Sequence, residues 1–483
     1  MSKSSQKRIL PKLNSAKPTW YLAIGVLLMT FSHLSHSLDF MAWFCMTPFL
    51  VYLHLTSGWK SRLWFILALA LAWSLIVFKI ITQPIPVVFV FLYSLPIAFI
   101  HLPGYLSWGK SKKHHLSPLL FAAVMTLMEY IQYTFTPLAS WGVAAYTQSQ
   151  SIHIMQFLSV LGMAGLSFLI YWINAALAWF IITGKRSTSG FYLPLISLGL
   201  VMVFGVVRFN LSKSKGVDTI AVAAAGTDSE VGGLPLPTQE ESEKVIRSIF
   251  NRTRKAAQFG AKIVVWNEAA FILEPEYERA WIDSMQLLAK SSTTTIIASF
   301  VVPTNTSPLR YENKYLFINS NGDVLNSYLK HEPVPGEPAI RGTRPLQVFR
   351  VDETKVGGAI CYDYDFPYLA RANGALGADI VAVPSSDWRG IDPLHTRMAA
   401  FRAVEQGHSV LRSTRFGLSA AISPYGEMTT QMSSFDSNQK TMLATLPKKG
   451  VKTIYSVLGD GFVYLCTGFI LVFFFNAVYQ KNP

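Results

Sequence analysis

The chain has 483 residues, of which 51% are hydrophobic and only 14% are charged. Soluble domains usually carry about 25% charged residues, so this composition excludes a protein whose whole surface faces water. The net charge of +14 is compatible with either nucleic acid or an anionic membrane surface as a partner. Three cysteines, Cys45, Cys361 and Cys466, are too few and too scattered for a disulfide framework, and only Cys361 lies in a polar setting.

Eight apolar runs are candidates for membrane-spanning helices, which need about 20 residues each. In chain order they are Trp20–Leu34, Phe40–Leu55, Leu63–Thr82, Pro86–Leu102, Leu119–Phe135, Met155–Ile182, Phe191–Arg208 and Gly461–Tyr479. The first run is not interpreted as a secretory signal, because no small-residue cleavage site follows it and a second run begins at once. We therefore predict a membrane domain of seven helices over residues 1–209, and an eighth helix with a short tail over 457–483.

Basic residues alternate between the loops that join these predicted helices. The N-terminus, the even-numbered loops and the tail carry them, and the odd-numbered loops carry none. They are Lys3, Lys7, Arg8, Lys12, Lys17, Lys60, Arg62, Lys110, Lys112, Lys113, Lys185, Arg186 and Lys481. Because basic loops remain in the cytoplasm, both termini are predicted to be cytoplasmic and residues 210–456 to lie outside the cytoplasmic membrane. Topology and attraction to anionic lipid then explain the basic excess, and no nucleic acid is expected as a partner.

Residues 210–456 alternate short apolar strands with helices, a pattern typical of a layered α/β domain. The predicted helices are Gln239–Phe259, Tyr277–Lys290 and Pro393–Gln406. The predicted strands are Thr219–Ala225, Lys262–Trp266, Thr295–Val302, Tyr315–Ser320, Lys355–Ile360, Asp379–Pro384, Ser409–Ser413 and Leu418–Ser423.

Three reactive side chains, Glu268, Lys330 and Cys361, stand at or just beyond strand-like runs. Strand ends in α/β folds gather polar groups around a common crevice. A cysteine beside a carboxylate base and an ammonium group suits an acyl-transfer nucleophile. The ammonium is expected to lower the pKa of the thiol and to stabilise the oxyanion. Spacing alone leaves a second interpretation open, in which Cys361 is a small buried residue and Glu268 and Lys330 are surface charges.

Glutamate, lysine and cysteine in this order and in these settings resemble the nitrilase, or carbon–nitrogen hydrolase, superfamily. The stretch from Arg402 to Ser419 and the turn Pro424-Tyr425-Gly426 are also similar to it. Within the superfamily, seven helices before the domain and one after it resemble the apolipoprotein N-acyltransferase branch. Trp141 with the segment Tyr146–Gln150, and Glu337 after Val334-Pro335-Gly336, resemble the same branch.

The resemblance implies an αββα sandwich that works without a cofactor or a metal. Cys361 would attack an acyl ester of a phospholipid, forming a thioester and releasing a lysophospholipid. The α-amino group of the N-terminal diacylglyceryl-cysteine of an apolipoprotein would then take the acyl chain as an amide. The expected partners are therefore a phospholipid donor, an apolipoprotein acceptor and the lipid bilayer, with the active site on the periplasmic side of a bacterial inner membrane.

The resemblance also implies a role for each residue of the site. Glu268 would be the general base for Cys361, and Lys330 would stabilise the tetrahedral intermediate. Glu337 would be a second carboxylate that orients Lys330 or relays a proton. The remaining candidates would shape or line the site beside the nucleophile: Tyr362, Asp363, Trp388 and Arg389.

This sequence departs from the usual family pattern at several positions. Asn267 replaces a proline before the base, and Asp363 replaces a glutamate two residues after the nucleophile. The loop 226–237 lacks a tryptophan, and the segment between Lys330 and Cys361 is short. A membrane-bound hydrolase, in which water resolves the thioester, and a transferase with another acceptor are therefore alternatives. A catalytically silent scaffold is a third.

Two further residues have a functional and a structural interpretation. Glu129 lies inside the fifth apolar run, where a carboxylate is costly and by default a functional candidate, but a hydrogen bond between helices is the favoured explanation. His395 lies in the predicted helix Pro393–Gln406. Since the nitrilase site requires no histidine, His395 is interpreted as structural.

Overall fold

The computed structural model describes residues 18–111, 114–184, 191–213, 216–228, 236–436 and 438–479, with side chains as far as residue 476. The chain divides into two compact units, one formed by Met1–Asn210 with Val457–Pro483 and the other by Leu211–Ser456. Most of the basic residues that set the predicted orientation lie outside the described residues, so the orientation stays a prediction. They are Lys3, Lys7, Arg8, Lys12, Lys17, Lys112, Lys113, Lys185, Arg186 and Lys481.

Helices make up the described part of the first unit. They are α1 (Thr19–Ser32), α2 (Thr47–Leu55), α3 (Trp59–Phe78), α4 (Phe89–Ser111), α5 (Ser117–Phe135), α6 (Ile152–Met155), α7 (Leu158–Thr183), α8 (Leu193–Lys213) and the C-terminal helix Gly461–Tyr479. Every predicted apolar run contains helix, but the second is divided between the 3₁₀ helix Asp39–Trp43 and α2. Among the described residues, four helices are long and apolar enough to cross a membrane: α3, α4, α7 and α8. A count of eight spans therefore stays a prediction.

Glu129 of α5 is buried and joins two helices to a turn. Its Oε1 accepts hydrogen bonds from the backbone N–H of Ala144, at 2.7 Å, and from the Tyr171 hydroxyl of α7. Ala144 begins the 3₁₀ helix Ala144–Gln148. Glu129 thus has the hydrogen-bonding role that the sequence favoured.

Two six-stranded sheets form the centre of the second unit. One has the order β12-β1-β2-β3-β4-β5 and the other β11-β10-β9-β8-β7-β6. The strands are β1 (Thr219–Ala225), β2 (Ile263–Trp266), β3 (Thr295–Thr306), β4 (Leu309–Ile318), β5 (Val324–Leu329), β6 (Phe349–Val351), β7 (Thr354–Gly358), β8 (Ile380–Ser386), β9 (Ser409–Arg415), β10 (Leu418–Ile422), β11 (Met428–Ser433) and β12 (Thr441–Pro447). The helices are α9 (Gln239–Gln258), α10 (Glu278–Ser292), α11 (Pro367–Ala375), α12 (Leu394–Gln406) and α13 (Ile454–Leu458).

The two sheets pack face to face, because apolar side chains alternate along their central strands. Val222 and Val265 of the first sheet share one buried cluster with Ile380 and Leu411 of the second. On its other face the first sheet packs against α9 and α10. α12 packs against β9 and β10 of the second sheet, and α11 packs against α12. The unit is an αββα sandwich, as the resemblance implied.

The central strands run parallel in both sheets, β1 with β2 and β3, and β7 with β8 and β9. Parallel strands place their carboxyl ends at one edge of a sheet, where α/β proteins collect functional groups. Glu268 follows β2 and Cys361 follows β7. The parallel centres of the two sheets therefore position the acid and the nucleophile.

Candidate active site

Lys330, Glu268 and Glu337 form a buried ion triad. Lys330 is only 1% exposed, and its ammonium donates to Glu268 Oε1 and to Glu337 Oε2, each at 2.7 Å. Burial by itself would lower the pKa of Lys330, but the charges of Glu268, Glu337 and Cys361 outweigh it and raise that pKa well above its usual value. The triad therefore holds a permanent cation between two carboxylates.

Asn313 of β4 is a member of the site that sequence reasoning missed. Its Nδ2 donates to Glu268 Oε1 at 2.8 Å and to Glu337 Oε1 at 3.0 Å. Lys330 follows β5, and its backbone N–H donates to the Asn313 carbonyl at 2.9 Å. The β4–β5 pairing thus places an amide and an ammonium side by side, and each of them bridges the two carboxylates.

Glu337 lies in the loop after β5, and a backbone hydrogen bond within that loop holds its side chain in place. Its Oε2 also accepts from the backbone N–H of Val334, at 2.9 Å. Burial acts to raise the pKa of Glu337, but the Lys330 charge and these hydrogen bonds lower it overall. Glu337 is consequently an anion that orients the ammonium. The Oε2 of Glu268 receives no hydrogen bond from the described residues, which leaves that oxygen free to take a proton.

Cys361 lies on a strained turn at the carboxyl end of β7. It begins the 3₁₀ helix Cys361–Asp365 with φ +48°, a conformation that costs a residue other than glycine about 1–3 kcal/mol and is often found at functional sites. The strand leading to it passes very close to its neighbours, because a Cβ on Gly358 would lie 2.5 Å from the Tyr315 hydroxyl oxygen. Glycine is therefore needed to bring the nucleophile into this position.

The thiol of Cys361 is 4% exposed and donates to the Ser386 carbonyl at 3.4 Å. Burial raises its pKa well above the usual value, and the charge of Glu268 raises it further, while Lys330 acts in the opposite direction. Lys330 thus lowers the thiol pKa as expected, but burial and the charge of Glu268 outweigh its effect. The resting nucleophile is a neutral thiol whose proton must be removed during the reaction.

Asp363 is fully buried and holds the nucleophile turn. Its Oδ2 accepts from the Tyr328 hydroxyl at 2.8 Å and from the backbone N–H of Ile360 at 3.0 Å, and its Oδ1 accepts from the backbone N–H of Glu332 at 2.6 Å. Burial raises the pKa of Asp363 to about 7. The carboxylate connects the turn to the end of β5, next to Lys330. The aspartate side chain, although shorter than the glutamate of the family pattern, therefore reaches its hydrogen-bond partners.

The other residues predicted to shape the site are placed differently. Tyr362 is buried with its ring edge-on to Phe366 at 5.4 Å. Trp388 is half-buried, whereas Arg389 is exposed with its guanidinium 4.5 Å from the ring centre of Phe435. The structure does not bring Arg389 to the ion triad, and its role in lining a pocket stays a prediction. Part of the loop 226–237, residues 229–235, lies outside the described residues.

Asn267 stabilises the segment that precedes the base. Its Oδ1 accepts from the backbone N–H of Thr227 at 2.7 Å, and its Nδ2 donates to the carbonyl of Glu268 at 2.9 Å. A proline at this position would supply neither bond, because it lacks a polar side chain. The asparagine thus fixes the chain around Glu268 by hydrogen bonds.

A second group of charged side chains lies beside the nucleophile. His395 of α12 contacts Asp387 at 2.7 Å and Asp365 at 3.0 Å, and Asp387 accepts both ends of the Arg412 guanidinium at 2.9 Å. The ligand atoms of Cys361, Asp387 and His395 lie within 4.8 Å of one another. The sequence interprets His395 as structural, and the structure places it within this ion network, close to the Cys361 sulfur.

Three such atoms have the spacing of a metal site, but their existing partners do not suit one. The Asp387 carboxylate is already paired with a guanidinium, and both nitrogens of His395 contact carboxylates. A cation entering here would meet the charge of Arg412. We therefore assign these residues to an ion network.

A buried thiol, a carboxylate base and a fixed ammonium at the strand ends of an αββα sandwich define a class, the enzymes that transfer acyl groups through a thioester. The chain belongs to the carbon–nitrogen hydrolase family, whose model matches residues 210–454. Residues 25–176 match a second family model, described as the apolipoprotein N-acyltransferase N-terminal domain. The resemblance predicted from the sequence is confirmed by these two matches.

Curated relatives match along most of the chain. The apolipoprotein N-acyltransferase of Shewanella oneidensis is 27% identical over 419 residues, covering 78% of this chain and 77% of the relative. The protein of the same name from Borreliella burgdorferi is 24% identical over 418 residues, covering 76% and 77%. Among solved structures, an amidase from Nesterenkonia sp. is 20% identical with a TM-score of 0.40, covering 49% of this chain and 92% of its own.

Proposed function

We propose that this protein is an N-acyltransferase that moves a fatty acyl chain from a phospholipid, through a thioester on Cys361, to the α-amino group of a diacylglyceryl-cysteine apolipoprotein. The observation that carries the proposal is the Lys330 ammonium fixed at 2.7 Å from both Glu268 and Glu337, beside a buried thiol on a strained turn. The match of residues 25–176 to the N-terminal domain of acyltransferases supports a lipid substrate.

In the first half-reaction the Cys361 sulfur attacks the carbonyl carbon of a phospholipid ester. Glu268 takes the thiol proton as the carbon–sulfur bond forms, because the thiol is neutral at rest. The negative charge that develops on the carbonyl oxygen is stabilised by Lys330. Glu268 then gives the proton to the leaving oxygen, the carbon–oxygen bond breaks and a lysophospholipid departs.

In the second half-reaction the neutral amine of the acceptor attacks the thioester carbonyl. Glu268 takes a proton from the attacking nitrogen and returns it to the sulfur as the carbon–sulfur bond breaks. The products are an amide and the free thiol. Glu337 and Asn313 hold Lys330 and Glu268 in one geometry through both steps, so neither half-reaction requires the site to reorganise.

The membrane setting is part of the proposal. Residues 1–209 and 457–483 would form eight spans with both termini in the cytoplasm, and residues 210–456 would act on the periplasmic side of a bacterial inner membrane. Both lipid substrates are held in a bilayer. Four described helices with the length and composition of membrane spans support this placement.

Intact mass spectrometry of the purified protein after mixing with phospholipid tests the first step. We expect an added mass of one acyl chain, lost in Cys361→Ala and retained in Cys466→Ala, a matched change at another buried cysteine. Adding a diacylglyceryl lipopeptide should remove the adduct and yield an acylated amine. Free fatty acid without amide would identify a hydrolase, and an unmodified wild-type protein would contradict the proposal.

A further inference from the structure

Asp365, Asp387, His395 and Arg412 form what we call the second ion cluster. Asp365 is the last residue of the 3₁₀ helix that Cys361 begins, and Asp387 directly follows β8. His395 belongs to α12 and Arg412 to β9. All four are buried. One network therefore joins the nucleophile turn to a helix, to the end of β8 and to the neighbouring strand β9.

Arg412 is fixed within this cluster by hydroxyl groups as well as by Asp387. Its Nη1 donates to the hydroxyls of Thr396 and Thr414, at 2.5 Å and 3.0 Å. Its Nη2 also lies 2.8 Å from Nδ1 of His395, the nitrogen that contacts Asp387. That proximity of two cations is unfavourable, but the two carboxylates on either side of the imidazole outweigh it.

The cluster therefore contains two cations and two anions at neutral pH. Burial acts to lower the pKa of His395, but Asp365 and Asp387 raise it to about 9, so the ring is an imidazolium. Arg412 keeps the pKa of Asp387 well below its usual value against the effect of burial. Charges that close to a sulfur act directly on the stability of its thiolate.

We propose that His395 is a positioning residue for acyl transfer, whose imidazolium neutralises the carboxylates beside Cys361 so that Glu268 can draw the proton from the thiol. Without the imidazolium the cluster would carry a net negative charge next to the sulfur. The negative charges of Glu268 and of an unneutralised aspartate would then both destabilise the thiolate. His395 acts through the charge that Cys361 experiences.

This inference rests on the proposed role of Cys361 as the nucleophile, but not on the identity of the acyl donor or acceptor. Its test is therefore alkylation of Cys361 by iodoacetamide, which requires no lipid. The full-length protein in detergent is labelled across neutral to alkaline pH, and labelling of a Cys361→Ala variant is subtracted as the contribution of the other cysteines.

Two neutral substitutions in the same ion pair separate charge from structure. His395→Gln removes a cation, and we expect alkylation at neutral pH to slow about three- to tenfold, the effect of a change of about one unit in the thiol pKa. Asp365→Asn removes an anion, and we expect alkylation to become faster by a similar factor. The double variant should return to the wild-type rate, because its cluster regains zero net charge.

The controls test whether each variant is folded and whether the effect requires a histidine at this position. His115→Gln, an exposed histidine in the first unit, should leave the rate unchanged. Thermal unfolding reports whether each variant is folded. If Asp365→Asn does not fold, Asp387→Asn takes its place, because it changes the net charge of the cluster in the same direction. In single-turnover acylation, His395→Gln should lower the rate constant without changing the phospholipid KM. If His395→Gln and the aspartate variants all slow alkylation alike, the cluster is only structural and the inference is wrong.

Discussion

A single proton on Cys361 is controlled by burial and by neighbouring charges, chiefly those of Glu268 and Lys330. Burial and Glu268 favour the neutral thiol, and Lys330 favours the thiolate. The first two dominate, so the nucleophile exists as a thiolate only while Glu268 holds the proton. General bases of this kind contribute about 10²–10⁴-fold to a rate. Glu268 thus adds to the effect of burial in keeping the thiol neutral at rest, and it also removes the thiol proton during the reaction.

Glu268→Gln should separate these two effects. Acylation by phospholipid is expected to fall by about 10²–10⁴-fold, because no base remains. Alkylation of Cys361 by iodoacetamide should become faster, because the charge that raises the thiol pKa is gone. Intact mass spectrometry measures both reactions on one sample. A variant in which alkylation slows together with acylation would contradict this account.

Asn313→Ala should lower activity with little change in fold. Among the described residues, the substitution leaves Lys330 as the only bridge between Glu268 and Glu337. We expect the acylation rate to fall by about ten- to a hundredfold, as for loss of one positioning group at an active site. The matched control is Asn326→Ala, on the partly exposed strand β5. Equal activities of the two variants would show that the Asn313 amide is dispensable.

At the level of secondary structure, the 3₁₀ helix Cys361–Asp365 is held by carboxylates on two sides. Asp363 bonds to the end of β5 in the first sheet, and Asp365 bonds to His395 of α12 beside the second sheet. A turn of five residues has few internal hydrogen bonds, so its position depends on these anchors. The strained φ of Cys361 is maintained by anchors to the first sheet and to α12.

The ion pairs of His395 make the protein less stable at alkaline pH. Its folded pKa of about 9 lies above the ordinary 6.5, so its contribution is fully present below pH 6.5 and is lost as the pH rises through 9. The shift corresponds to about 3 kcal/mol. The thermal unfolding midpoint of the wild type should fall over this range, and that of His395→Gln should start lower and fall less. Parallel curves would contradict the assignment.

Gly358→Ala tests the close approach of β7 to its neighbour. The added methyl group would lie 2.5 Å from the Tyr315 hydroxyl oxygen and 2.8 Å from the ring carbon that bears it, and a buried clash of this kind costs about 1–3 kcal/mol. We expect a lower unfolding midpoint and loss of acylation, because Cys361 follows the displaced strand. Gly216→Ala is the control, since a Cβ there meets nothing within 4 Å. An active Gly358→Ala enzyme would refute this requirement.

The strands that the sequence did not predict share one property. They are β5, β6, β11 and β12, the four edge strands of the two sheets. Central strands are buried on both faces and appear as continuous apolar runs, so β1 was predicted with its observed bounds. Edge strands are half-exposed and polar, as the burial of β11 shows. Their pairing is decided by contacts across the sheet, which a local pattern does not contain.

The dependence on local patterns also explains which site residues the sequence predicted. Glu268, Lys330 and Cys361 have reactive side chains at strand ends, a local signal, and the structure places Lys330 against Glu268. Asn313 lies within a strand and reaches the carboxylates only through the pairing of β4 with β5. His395 reaches the sulfur through the packing of α12. Spacing along the chain predicts neither contact.

On the scale of the whole molecule, the chain combines a helical unit and a sandwich unit whose bounds, Leu211–Ser456, follow the change in composition. The two units differ in hydropathy because many exposed side chains on the helices of the first unit are apolar. Examples are Leu71, Phe99 and Leu200. Large exposed apolar surfaces in a soluble protein would associate. In the proposed bilayer the same surfaces face lipid.

The predicted orientation can be tested by labelling with a membrane-impermeant maleimide. In a Cys361→Ala background, Gln258→Cys, at an exposed position of the second unit, should react in intact spheroplasts. Ser57→Cys, at an exposed position in a predicted cytoplasmic loop, should react only after the membrane is broken. The reverse pattern would show that the basic loops do not lie in the cytoplasm.

The neutral resting state of Cys361 has a consequence for its chemical survival. Peroxides and disulfides react with thiolates and hardly at all with thiols, and the compartments outside the cytoplasm oxidise exposed cysteines. A sulfur that ionises only while an acyl ester is being attacked offers little to these oxidants between turnovers. In the proposed periplasmic location, the buried and electrostatically disfavoured thiolate would protect Cys361 from oxidation between turnovers.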